Sequence, residues 1–125
     1  MNENDISKII VDCSYHIHVT LGPGLLESVY ERILCYELTQ RDLKVVRQKE
    51  IPVIWKGKNM ELGFRADLIV EDKVLVELKS VEAIASVHYK QVLTYLKLTG
   101  LKLGLLINFN DALIKNGVSR IVNDL

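Results

Sequence analysis

Apolar positions along the chain follow two periods. Ile6, Ile9, Ile10, Cys13 and Ile17 recur at three- and four-residue spacing, which predicts a helix over about residues 5–19. Gly22-Pro23-Gly24 ends it and opens a second helix over about residues 25–41, marked by Leu26, Tyr30, Ile33, Leu34 and Leu38. Neither start carries a strong capping box. The period then changes. Residues 45–46 and 51–55 read as strand, with Pro52 suggesting an edge or a strand start. Residues 56–59 read as a turn, and 60–70 and 74–78 as two further strands. Helical spacing returns over Ser86–Thr99, with Ser86 as the expected N-cap and Gly100 as the stop. Residues 101–109 form a nearly continuous apolar run, as in a strand buried on both faces, and residues 118–122 form a last short strand.

The predicted order is therefore α-α-β-β-β-α-β-β, an α/β fold with a mixed central sheet flanked by helices. The helix between the strands at 74–78 and 101–109 makes a crossover, so those two strands should be parallel. A chain of 125 residues suits one domain, residues 1–125, with one core. With 49% hydrophobic residues, burial offsets chain entropy, and disorder is not expected. The apolar runs are too short for a transmembrane helix. The acidic, polar start Met1-Asn2-Glu3-Asn4-Asp5 argues against a signal peptide, so a cytoplasmic protein is expected. Cys13 and Cys35 fall on apolar helical stripes and read as reduced core residues. Lys plus Arg equals Asp plus Glu at 16 each, so bulk charge does not advertise nucleic-acid binding. Local charge is less even, with Arg41, Lys44, Arg47 and Lys49 close together and Lys97 near Lys102.

The candidate chemistry lies in Arg65-Ala66-Asp67-Leu68-Ile69-Val70 and Val74-Leu75-Val76-Glu77-Leu78-Lys79. Strand alternation points Ala66, Leu68 and Val70 one way and Asp67 the other. It likewise separates Val74, Val76 and Leu78 from Glu77 and Lys79. A two-residue turn would put Asp67 and Glu77 on opposite faces. A three-residue loop, Glu71-Asp72-Lys73, pairs Asp67 with Glu77 and Arg65 with Lys79, and this odd-length loop is the expectation. Two carboxylates side by side repel unless a cation lies between them, and a hard divalent ion suits such oxygens. Lys79 on the same face would hold a water or stabilise charge on a phosphate. The competing reading is a cross-strand salt-bridge cluster of Arg65, Asp67, Glu77 and Lys79. Glu27 falls on the apolar stripe of the second helix beside Leu34 and Leu38, so it needs a partner or a raised pKa; a helix-start acid is the alternative. His88, Gln91 and Tyr95 share one stripe of the third helix. His88 is a candidate to touch the site. His16 lacks ligand-pair spacing, and His18 is expected to cap carbonyls at the end of the first helix.

These residues resemble a known family. Gly24-Leu25-Leu26-Glu27-Ser28-Val29-Tyr30 is similar to the GxxExxY signature of a family of small proteins placed in the PD-(D/E)XK nuclease superfamily. Gly63-Phe64-Arg65-Ala66-Asp67 resembles motif II of that superfamily, and Glu77-Leu78-Lys79 its E-x-K motif III. Gln91-Val92-Leu93-Thr94-Tyr95 resembles the Q-x-x-x-Y motif of RecB-type and Cas4-type nucleases. The resemblance implies a restriction-endonuclease-like core. It also implies a divalent-metal-dependent nuclease using Mg²⁺ or Mn²⁺ and a metal-activated water on DNA, with RNA as a further substrate. The implied catalytic set is Glu27, Asp67, Glu77, Lys79, Gln91 and Tyr95. The implied metal ligands are Asp67, Glu77, the Leu78 backbone carbonyl and Glu27, the last through water. A catalytically silent binding or scaffold domain on the same fold is the alternative, and an enzyme acting on a small phosphodiester is a third reading. A homodimer is compatible with exposed sheet edges.

Overall fold

A computed structural model of the chain describes residues Met1–Leu125. The first apolar stripe forms helix α1 (Glu3–Leu21), which buries Ile6, Ile10, Cys13 and Ile17. Its start corrects one expectation. Asn2 and Asp5 form a reciprocal capping box, with the Asn2 side chain accepting from the Asp5 N–H and the Asp5 carboxylate accepting from the Asn2 N–H. Asp at the third helical position does the work usually assigned to Glu or Gln. Helix α2 (Glu27–Gln40) buries Tyr30, Glu31, Leu34 and Leu38. The turn between the helices is held from within α2, because the Tyr30 hydroxyl donates to the Gly22 carbonyl at 2.6 Å and accepts from the Leu25 N–H at 3.2 Å. Gly24 within that turn has φ +108°, a conformation side chains rarely adopt.

Five strands follow: β1 (Val45–Trp55), β2 (Lys58–Val70), β3 (Val74–Lys79), β4 (Leu103–Asn108) and β5 (Val118–Val122). They lie in the order β1-β2-β3-β4-β5, with β3 and β4 parallel and the other neighbours antiparallel. The expected mixed sheet and parallel crossover are present. The two strand fragments expected at 45–46 and 51–55 are one continuous edge strand, because Arg47, Gln48, Lys49 and Glu50 pair in the ladder or bridge it despite their polarity. Pro52 is tolerated on this edge. A one-turn helix α4 (Ile114–Gly117) before β5 was not expected from the sequence; four residues are too few to show a period.

The sheet separates two apolar clusters. On one face α1 and α2 cover Leu68, Val70, Val74, Val76, Leu78, Leu105 and Ile107. On the other, helix α3 (Ser86–Thr99) sets Val92 and Leu96 against Ile69, Leu75 and Leu106. Gly104 lets α3 approach β4 closely, since a Cβ there would meet Val92 Cγ1 at 2.6 Å. The start of α3 differs from expectation: Ala85, not Ser86, is the capping position, and the His88 ring Nδ1 accepts from the Ala85 N–H at 3.1 Å. Cys13 and Cys35 are free thiols, the first buried and the second half-buried. No helix is long and apolar enough to cross a membrane.

Candidate active site

The loop between β2 and β3 has three residues. Leu68 faces Val76, Ile69 faces Leu75 and Val70 faces Val74, which leaves Glu71-Asp72-Lys73 as the connection. Glu71 and Asp72 both take left-handed φ near +55°. Clasps from Lys44, the residue before β1, hold them there. Glu71 N–H donates to the Lys44 carbonyl at 2.8 Å, and Lys44 Nζ reaches the Asp72 carboxylate at 2.8 Å. This register extrapolates to Asp67 opposite Glu77, and their carboxyl groups meet at that level. The Asp67 N–H donates to Glu77 Oε1 at 3.1 Å, and the Leu78 N–H donates to Asp67 Oδ2 at 2.8 Å.

The ladder stops at Leu68 and Val76, so β2 and β3 part where the carboxylates lie. The expected pairing of Arg65 with Lys79 is therefore absent. Arg65 turns instead to Glu50 at 3.0 Å on β1. Strict alternation also fails. Ala66 joins the α3-side cluster, whereas Leu68, two residues on, joins the opposite one. The reason lies on the neighbouring strand. Gln48 lies between the pairs Arg47–Leu68 and Lys49–Ala66, opposite Asp67, and has φ +51°, a left-handed residue that turns the backbone beside Asp67 without shifting the register.

Lys79 is half-buried at the end of β3 and forms no ion pair. The alternative of a structural salt-bridge cluster thus finds no support, because neither lysine nor arginine neutralises the carboxylate pair. The consequence appears in Glu77. Burial, then the Asp67 charge, push its carboxyl up to about 8, against a partial offset from the Asp67 N–H and Lys79. The next group outward is Tyr95, whose hydroxyl is raised first by burial and then by the charges of Glu77 and Asp67. Its ring stacks on Phe64, with centroids 3.7 Å apart and planes 10° from parallel.

The remaining sequence-derived candidates scatter. Glu27 is exposed in the first turn of α2, without a hydrogen bond, which corrects the expectation of a carboxylate held within the apolar stripe. The buried acid is Glu31, one turn further along. Its Oε1 accepts from Gln48 Nε2 at 2.9 Å, and the same amide reaches Asp67 Oδ1 at 3.3 Å. Arg47 Nε lies 3.7 Å from Glu31 and is otherwise unpartnered. The helical wheel could not separate Glu27 from Glu31, since both fall on the stripe; only axial position distinguishes them. Gln91 is exposed and makes no side-chain bond. His88 serves the α3 cap, and His18 is buried against the Asp111 carbonyl at 2.8 Å rather than capping α1. Sequence reasoning assigned no role to Glu31, Gln48, Phe64 or Asn108. Buried Asn108 bonds both N–H and C=O of Val81 and so pins the segment after Lys79. Ser80 Oγ donates to the Leu25 carbonyl at 2.8 Å, tying the same segment to the approach to α2.

The donor set is compatible with a hard cation but sparse. No three His, Cys, Asp or Glu side chains converge. Two carboxylates do, at a point where their mutual repulsion has no cationic partner. A strand residue sends its N–H and C=O to the same edge. The Leu78 N–H points to Asp67, so its carbonyl is directed into the same gap. Two carboxylates, one carbonyl and several retained waters suit a Mg²⁺-like ion.

A protein-family model of the PD-(D/E)XK nuclease superfamily matches residues 4–121. The chain belongs to that superfamily. Searches of the curated proteins and of the solved structures gave no match. The mixed sheet flanked by helices agrees with the restriction-endonuclease-like fold of the superfamily.

Proposed function

We propose that the protein is a divalent-metal-dependent nuclease hydrolysing phosphodiester bonds of DNA, with RNA as a further substrate. The observation that carries this reading is the unpaired convergence of Asp67 and Glu77 beside an ion-pair-free Lys79. In this reading Asp67, Glu77 and the Leu78 carbonyl hold Mg²⁺ or Mn²⁺. Exposed Glu27, one helical turn from Glu31, contributes through water. A cation there supplies positive charge opposite the phosphate and makes a bound water more acidic.

The chain's own groups do the rest. Lys79 donates to a non-bridging phosphate oxygen or orients the attacking water, and offsets the negative charge that grows on phosphorus. Gln48 fixes one Asp67 oxygen and Leu78 N–H the other, so the carboxylate is preorganised. In this reading Tyr95 and Phe64 wall the site, and Gln91, exposed on the same helix, contacts the nucleic-acid backbone. Water adds across one P–O bond, leaving one end as a phosphate and the other as a hydroxyl. The GxxExxY resemblance fits this arrangement, because Tyr30 clamps the turn that sets α2 against the segment after Lys79.

The test is cleavage of labelled single- and double-stranded DNA and RNA with Mg²⁺, with Mn²⁺ and with chelator. Cleavage by the wild type that requires the metal, and falls at least about 100-fold in Asp67→Ala and Lys79→Ala, supports the reading. Activity surviving both substitutions overturns it. The absence of a third converging acid favours one second reading, a silent nuclease-fold binding domain. Metal-independent nucleic-acid binding without cleavage of any substrate would select it.

A further inference from the structure

The β1–β2 hairpin is much longer than the sheet it joins. β2 pairs with β3 only from Leu68 to Val70, while its pairing with β1 runs on to Lys58. Every residue from Ile54 to Gly63 is exposed. A two-stranded ribbon with no third strand is marginal alone, so its length calls for a function. Gly63 is needed within it, because a side chain there would collide with the Ile51 carbonyl oxygen.

The arm begins at the site. Asp67 lies at its base, and Phe64, stacked on Tyr95, forms the first step outward. From Asp67 to Lys58 is nine residues of strand, roughly 30 Å at about 3.3 Å per residue. At the tip, Trp55 pairs with Lys58 and is 64% exposed. Lys56 Nζ lies over its ring, 5.9 Å from the centroid. The charge of the arm differs from that of the body. Residues 49–65 hold Lys49, Lys56, Lys58 and Arg65 against Glu50 and Glu61, a net +2. The whole chain sums to zero, so the rest carries −2.

We infer that the hairpin tip is a distal nucleic-acid-binding site: Lys56 and Lys58 contact phosphates, and Trp55 stacks on a base of a strand that runs from the carboxylate pair along the arm. Lysines beside an exposed aromatic ring are the combination that holds single-stranded nucleic acid with little sequence preference. Like charge on two arms opposes a tip-to-tip contact between copies. The inference rests on the nuclease reading, whose substrate it follows beyond the reacting bond.

Trp55 is the sole tryptophan, so its emission reports on the tip directly. The experiment titrates full-length protein, without metal, with single-stranded DNA of about 3 and about 20 nucleotides and with the matching duplex. It follows Trp55 fluorescence and, separately, anisotropy of labelled DNA. The longer strand should quench Trp55 and bind more tightly than the short one, which cannot span site and tip. Trp55→Ala should weaken long-strand binding about five- to 150-fold, the range of one lost stacking contact. Lys56→Ala/Lys58→Ala should lower the salt slope of log affinity by about 1.4, since each contact on a single strand is worth about 0.7. Neither change should alter the circular dichroism spectrum or short-strand affinity.

Binding or cleavage by the wild type with silent Trp55 emission and unaffected tip variants overturns the arm inference and leaves the nuclease reading standing. A Trp55 signal that depends on protein concentration and not on DNA makes the tip an interface between copies, and also overturns it. Failure of both binding and cleavage on every substrate removes the nuclease reading itself, and the inference with it.

Discussion

Strand β2 is two different strands joined at Asp67. From Leu68 to Val70 it is buried, paired on both edges and packed under α1 and α2 on one face and α3 on the other. From Lys58 to Arg65 it is paired on one edge only, and only Phe64 is less than exposed. The inner half obtains its stability from apolar burial. The outer half keeps its backbone bonds to β1 but buries little. At the junction the ladder ends, and carboxylates that would elsewhere be forced apart or neutralised converge. The difference teaches why the site lies there. A strongly packed strand fixes the position of Asp67, and loss of the third strand leaves room beside it.

That contrast can be broken at several points. Leu68→Ala in the inner half should cost about 2–5 kcal/mol in denaturant melts, because the surrounding core cannot close the cavity. A cost within about 0.5 kcal/mol would mean that the inner half is not the anchor. Lys79→Ala should leave the melting curve nearly unchanged while lowering metal-dependent cleavage about 100- to 1,000-fold; equal loss of fold and activity would make Lys79 structural.

The carboxylate pair makes a pH prediction for the metal-free protein. Glu77 is raised in the folded state from its ordinary 4.5 to about 8, so the folded chain binds more protons than the unfolded one. Its contribution to stability is complete below about pH 4.5 and declines as pH rises through about 8. Melting temperature measured in chelator should therefore fall more steeply with pH in the wild type than in Glu77→Gln, with the gap widening across that window. Parallel curves would show that the carboxylates do not repel as described. Gln48→Ala should lower cleavage several-fold by freeing one Asp67 oxygen, with a smaller effect on stability. Leu62→Ala, far out on the arm and 77% exposed, should change stability by less than about 0.5 kcal/mol.

Much of this arrangement was legible in the residues. Only an odd-length loop gives a register in which Asp67 and Glu77 meet, and three residues do connect the strands. The Ser86–Thr99 helix and the Val118–Val122 strand lie where periodicity put them. Other parts depend on tertiary placement that period cannot encode. Gln48 reads as one polar residue in a polar stretch, and its contact comes from a left-handed backbone turn across from Asp67. Glu31 shares a stripe with Glu27, and what separates them is that α2 meets the sheet one turn after it starts. Phe64 lies within a motif read for its aspartate, while its own contact is with a ring 31 residues later. The continuous β1 leaves no periodic signal, because polar residues on an edge strand need no apolar alternation.

The central claim is that Asp67 and Glu77 form one cation site, and Mn²⁺ binding measures it without needing a substrate. Titration by electron paramagnetic resonance or calorimetry should give one Mn²⁺ per chain in the wild type, with affinity rising as pH increases toward about 8 and Glu77 ionises. Asp67→Asn and Glu77→Gln should each weaken that site at least about tenfold, by removing a charged ligand. Equal Mn²⁺ affinity in all three proteins, or no binding by the wild type, would contradict the account.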